Sequence, residues 1–187
     1  MIKYILYIFL TIQFITSCNS SNYKIKKSFD AFMGSNIAIP RLEEAVYNGR
    51  DTIVPINTRN KEYNIVIYYD SVTCSSCELS ELWKWKAFMD EDLREKANCL
   101  FIFSPSTINE DEIRTYLNLY PFPWPVYIDT DNLFANGNKN ILPSEKIFHT
   151  FMLDKEDNVT LIGNPIKSYE LKKLYEETLT NRDENLE

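Results

Sequence analysis

Apolar and polar positions alternate along the chain in a way that changes character near residue 58. From there, Tyr63-Asn-Ile-Val-Ile-Tyr-Tyr69 is a run of strand-forming side chains broken only by Asn64, the pattern of a strand covered on both faces. Ser75–Lys96 places Leu79, Leu82, Trp85, Met89 and Leu93 at helical spacing with charges between them. Cys99–Phe103 is a second apolar strand. A helix beginning at Asn109 has acids in its first turn and Ile113, Tyr116 and Leu117 on its inner face. Pro121-Phe-Pro-Trp-Pro125 ends it and delivers the chain into a strand at Val126–Ile128. Asp129–Asn140 reads as a turn and a short helix around Leu133 and Phe134. Phe148–Leu153 and Val159–Gly163 flank a polar turn and predict an antiparallel hairpin. Ser168 caps a last helix through Thr180 with Leu171, Leu174, Tyr175 and Leu179 inward, and 181–187 is a frayed acidic tail.

Upstream the pattern is less regular. A polar, basic tether leads to a short helix holding Phe29 and Phe32 before Gly34. Extended pieces are predicted at Ile37–Pro40 and Thr52–Ile56, with one or two helical turns over Leu42–Tyr47 ended by Asn48-Gly49. The order β-α-β-α-β-(α)-β-β-α predicts an α/β domain. Its first two crossovers suit parallel strands, its terminal hairpin gives an antiparallel edge, and helices cover both faces of a mixed central sheet. The division is 1–17 leader, 18–57 tether and N-terminal extension, 58–180 domain and 181–187 tail.

The first residues have a separate meaning. Lys3 precedes an apolar run from Tyr4 to Ile15, too short for the ~20 residues that span a bilayer but suited to a signal peptide. The run ends in Ile15-Thr16-Ser17-Cys18, which resembles the bacterial lipoprotein processing box. That resemblance implies cleavage before Cys18, acylation there (palmitate among the chains) and a membrane anchor in a Gram-negative envelope facing the periplasm. Asn19 in place of Asp favours the outer membrane.

Charge and composition narrow the chemistry. The 187 residues carry a formal charge of −7 with no basic stripe, so nucleic acid is not an expected partner. None of the four glycines forms a phosphate-binding loop. One histidine and no nucleophile elbow leave hydrolase chemistry without support. Of the four cysteines, Cys18 is assigned to lipid and Cys99 sits in an apolar strand as a small hydrophobe. Cys74-Ser-Ser-Cys77 remains, at the start of a helix following a strand. Unpaired N–H groups and the positive end of the helix dipole stabilise a thiolate there. A disulfide closing so short a loop staples little, so a reactive pair is the better reading. Cys74 is the attacking thiol and Cys77 the resolving one.

The element order, Cys74-Ser-Ser-Cys77 after a strand, Pro125-Val-Tyr-Ile-Asp129 before a short helix, and Thr150-Phe-Met-Leu-Asp154-Lys-Glu-Asp-Asn-Val together resemble the thioredoxin fold over residues 58–180. The likeness is nearest to envelope-tethered thioredoxin-like proteins of the TlpA/ResA type and their peroxiredoxin-like relatives. It implies a membrane-anchored thiol-disulfide oxidoreductase that reduces client disulfides, with client proteins and a membrane electron donor as partners. No cofactor is implied beyond the redox-active disulfide. The family has an aromatic residue before the first cysteine where this chain has Thr73. Alignment on the hairpin also puts Phe148 where the family has its cis-proline, and a non-proline residue there is expected to be trans. Thr73, Phe148 and His149 are therefore the candidate substrate-binding positions. A different class of reading is a non-enzymatic binding module that holds Cu(I) through Cys74, Cys77 and His149.

Overall fold

The computed structural model describes residues 22–70, 75–89, 91–104 and 110–180. The leader, Cys18, Thr73, Cys74 and the acidic tail lie outside them.

A seven-stranded mixed sheet forms the middle layer, in the order β2-β1-β5-β4-β3-β6-β7. Its centre is β3 (Tyr63–Tyr69), buried at every position, paired in parallel with β4 (Ala97–Phe103) and antiparallel with β6 (Thr150–Leu153). β4 pairs in parallel with β5 (Val126–Ile128), and β6 turns back into β7 (Val159–Ile162). The predicted pairing directions of these five strands are all present.

Period-2 alternation sorts the sheet residues into two layers. Ile65, Ile67, Phe101, Phe103 and Met152 face helices α2 (Ser75–Phe88), α3 (Glu91–Lys96), α4 (Glu110–Leu119) and α6 (Tyr169–Thr180). Trp85, Ile113 and Tyr175 from those helices are fully buried among them. Val66, Tyr68, Leu100, Ile102 and Phe151 face the other way, toward α1 (22–32) and α5 (Leu133–Gly137). Phe32 docks α1 there, edge-on to Phe151 at 5.2 Å and to Phe148 at 6.1 Å.

Four local expectations are corrected. Leu42–Tyr47 is not helical: β1 (Glu44–Tyr47) and β2 (Arg50–Ile53) form a hairpin whose β1 pairs with β5. Asn48 and Gly49 have φ of 50° and 74°, the two-residue turn with both central residues left-handed that matches strand twist. Arg114 pins this hairpin to α4, reaching Asp51 at 2.6 Å and Glu110 at 2.8 Å. The long helix over Ser75–Lys96 is two: α2 ends at Phe88, and Arg94 Nε donates to the Met89 carbonyl at 3.0 Å, satisfying a helix-end acceptor. Ile37–Pro40 forms no strand. Asn36 makes one isolated bridge to Asn158, and the Asn138 side chain clamps Ala38 by accepting from its N–H at 2.9 Å and donating to its carbonyl at 2.8 Å. Leu174 points outward, while Tyr175 and Leu179 are buried.

Candidate functional site at the end of the central strand

β3 ends at Tyr69 and α2 begins at Ser75, so the C-x-x-C spans the passage from the central strand into the helix. Cys77 is the third residue of α2, in the turn whose backbone N–H groups have no helical partner. Cys74 immediately precedes the helix in sequence and lies outside the described residues, as do Thr73 and Cys18.

The two other candidates come to this same end of the sheet. Phe148 closes a short 3-10 turn (Lys146–Phe148), and His149 follows it into β6. The Tyr68 N–H donates to the His149 carbonyl at 2.9 Å, fixing that residue beside the end of β3. Among the described residues no peptide bond is cis, in keeping with the expectation for Phe148. The Phe148 ring is buried against Phe32. Its N–H donates to the Glu145 carbonyl at 2.9 Å, and the His149 N–H donates to the Lys146 carbonyl at 3.1 Å. Both backbone donors are therefore spent inside the turn.

His149 is buried and packs edge-on to the Tyr68 ring at 5.2 Å. Nε2 lies 3.2 Å from the Pro143 carbonyl, which can only accept, so Nε2 carries the proton. Nδ1 keeps its lone pair, 3.9 Å from an Asp70 carboxylate oxygen. Burial pulls the imidazole pKa below its ordinary value, opposed by the Asp70 charge and the Pro143 hydrogen bond. Burial likewise raises the Tyr68 phenol, against a hydrogen bond with Ser104. The Asp70–His149 approach has no signal in the sequence. Asp70 reads there as the first polar residue after a strand, and its partner is 79 positions away in a different element.

Cys99 is buried in β4, and desolvation pushes its thiol far above the ordinary range. It is a core side chain, as its strand neighbours predict. Trp85 is buried in the core, Trp83 is exposed, and Trp124 lies under the Arg94 guanidinium at 4.4 Å.

A groove of about 470 Å³ opens beside this site, between the exposed side of α1, the 3-10 turn and the start of α6. Tyr69, Phe148, His149 and Thr150 are among the residues that line it.

Parallel β3-β4-β5 continued by an antiparallel hairpin, with helices on both faces of the sheet, defines the thioredoxin-like fold. Solved structures agree. AhpC from Mycobacterium tuberculosis matches with a TM-score of 0.55 at 14% identity, over 80% of this chain and 94% of that one. The thioredoxin domain of a thiol-disulfide oxidoreductase from Bacteroides vulgatus matches with a TM-score of 0.51 at 15% identity, over 79% and 98%. StoA from Bacillus subtilis matches with a TM-score of 0.50 at 16% identity, over 75% and 96%. At these identities the structural likeness establishes the fold alone. No sequence-family model and no curated protein matches the chain.

Proposed function

We propose that the protein is a membrane-anchored thiol-disulfide oxidoreductase that reduces client disulfides in the periplasm through Cys74 and Cys77. The observation that carries this reading is the position of the pair. A C-x-x-C at the junction of the central strand and the N-terminus of a 14-residue helix has its thiolate stabilised by the helix end. A neighbour of the same fold that is named as a thiol-disulfide oxidoreductase supports it.

The Cys74 thiolate attacks one sulfur of a client disulfide, forming a mixed disulfide and expelling the other client sulfur as a thiolate. Cys77, deprotonated, then attacks the Cys74 sulfur. The Cys74–Cys77 disulfide forms, and the second client sulfur leaves and is protonated. Two electrons pass to the client, and a membrane donor restores the dithiol. Cys18, acylated, holds the domain at the envelope, with the outer membrane preferred. With the backbone donors of Phe148 and His149 engaged within their turn, a client is recognised by side chains more than by strand addition. The test is reduction of insulin by the full-length protein with dithiothreitol as donor. Cys74→Ser should abolish acceleration, and Cys77→Ser should stop turnover while trapping mixed disulfides. Equal rates for wild type and Cys74→Ser would refute the reading.

One observation favours a second reading, a Cu(I)-binding module. The His149 imidazole is held neutral by burial with Nδ1 as its remaining lone pair, the form a soft metal takes alongside two thiolates. Among the described residues no group of three candidate ligands forms, so such a site needs Cys74 and Cys77 together with His149. Anaerobic competition with a chromogenic Cu(I) chelator decides it. One equivalent bound by wild type and lost in His149→Ala supports the module. Equal uptake by both rejects the assignment of His149.

A further inference from the structure

The groove at the end of β3 carries exposed apolar side chains. Ile25 and Phe29 on α1 and Ile147 on the 3-10 turn are 37%, 40% and 58% exposed, and all three line it. Contiguous wet hydrophobic side chains of this kind mark a surface that is covered in use. Its volume of about 470 Å³ lies within the range of small-molecule sites, roughly 300–1,000 Å³.

Two features select the occupant. The first is charge. In a chain with 27 acidic and 20 basic side chains, the groove's described lining includes Lys146 and Lys167 and no aspartate or glutamate. Lys167 bridges Glu81 at 3.1 Å, so its charge is already met and Lys146 is the lysine of this lining that an anion would take. The second is the state of the backbone. The N–H groups of Phe148, His149 and Gly163 along the groove all donate internally, to the carbonyls of Glu145, Lys146 and Thr150. A peptide laid there finds none of these donors available for strand addition. An apolar chain needs none.

We propose that this groove binds a long-chain fatty acid, its acyl chain along Ile25, Phe29 and Ile147 and its carboxylate at Lys146. This binding is independent of the thiol chemistry proposed above.

The test uses the full-length protein in phosphatidylcholine nanodiscs and a diazirine-bearing palmitate, with crosslinked peptides read by mass spectrometry. Label is expected on peptides containing Ile25, Phe29 or Ile147, competed by palmitate. Myristate, two methylenes shorter, should compete about tenfold less well. Hexadecanol should compete less well than palmitate in the wild type, and Lys146→Glu should remove that preference for the acid. Ile147→Asp should lose the label. Because Ile147 is largely exposed, an unchanged circular dichroism melt is expected to show that this variant still folds. Cys74→Ser should label like wild type, so failure of the redox reading leaves this one standing. Label that persists in Ile147→Asp, label spread over peptides outside the groove, or competition by phosphatidylglycerol nanodiscs or an apolar peptide but not by palmitate would each overturn the proposal.

Discussion

Asn138 is a small side chain with a large structural duty, and replacing it by aspartate isolates that duty. It is fully buried in the turn after α5. Its Oδ1 accepts from the Ala38 N–H at 2.9 Å, and its Nδ2 donates to the carbonyls of Ala38 at 2.8 Å and Phe134 at 2.9 Å. The carboxylate of Asn138→Asp keeps the first bond. It loses both donated bonds and sets negative oxygens against two carbonyls. The Phe134 carbonyl retains a second donor, the backbone N–H of residue 138 at 3.2 Å, whereas the Ala38 carbonyl loses the donor that holds it in the clamp. One buried acceptor left unpaired costs about 1–3 kcal/mol, and the uncompensated buried charge adds to it. A loss of about 2–4 kcal/mol at pH 7 follows. Protonation restores the donor. The protonated carboxyl of the variant mimics the amide, so its pKa is expected to be raised in the folded protein. The folded state then binds the proton more tightly than the unfolded state, and the deficit against wild type shrinks as pH falls toward the ordinary carboxylate range, ~4. Urea unfolding of both proteins at about pH 7, 5.5 and 4.5, spanning that range, measures this. A variant within about 0.5 kcal/mol of wild type at pH 7, or a deficit that does not change with pH, would refute the clamp.

Other consequences are as direct. Phe32→Ala should cost about 3–5 kcal/mol in urea unfolding, because a fully buried ring leaves a cavity against Phe148 and Phe151. Phe29→Ala, on the wet side of the same helix, should cost under ~1 kcal/mol. Cys99 should resist iodoacetamide in the native protein and react only on unfolding, as read by mass spectrometry of alkylated peptides. His149 has a folded pKa below its unfolded value, so the unfolded state takes up the proton first as pH drops. Its contribution to stability is complete above about pH 6.5 and is lost progressively below it, and the urea midpoint of His149→Gln should fall less than that of wild type between about pH 7 and 5. Tyr175→Phe should lose about 1–2 kcal/mol, since the buried hydroxyl donates to the Gly163 carbonyl at 3.0 Å.

The central sheet is legible in the sequence because its signals are local and redundant. Tyr63–Tyr69, Cys99–Phe103 and Val126–Ile128 are apolar blocks separated by amphipathic helices, and short crossovers leave parallel pairing as the simple solution. The β1–β2 hairpin has a signal too. Asn48-Gly49 between Glu44–Tyr47 and Arg50–Ile53 marks a two-residue turn, but four-residue strands with so many exposed positions carry too little alternation to distinguish strand from helix. The break after Phe88 has no proline or glycine to announce it, and the helical spacing of apolar residues runs straight through. At the site, the cysteine pair is visible as a motif. The groove is not, because Ile25, Ile147 and Gly163 meet only after α1 has docked and the hairpin has closed. Likewise the Asp70–His149 approach joins residues 79 positions apart and the Asn138 clamp residues 100 apart, which periodicity does not reach.

The most direct test of the central claim is the redox equilibrium of the cysteine pair. The full-length protein is equilibrated in graded glutathione and dithiothreitol buffers, its thiols are trapped by alkylation, and the mass of each cysteine peptide is read. The account predicts a single reversible two-electron transition confined to Cys74 and Cys77, with Cys99 unchanged throughout. Cys74 and Cys77 remaining as free thiols across the whole range, or a disulfide that includes Cys99, would contradict it.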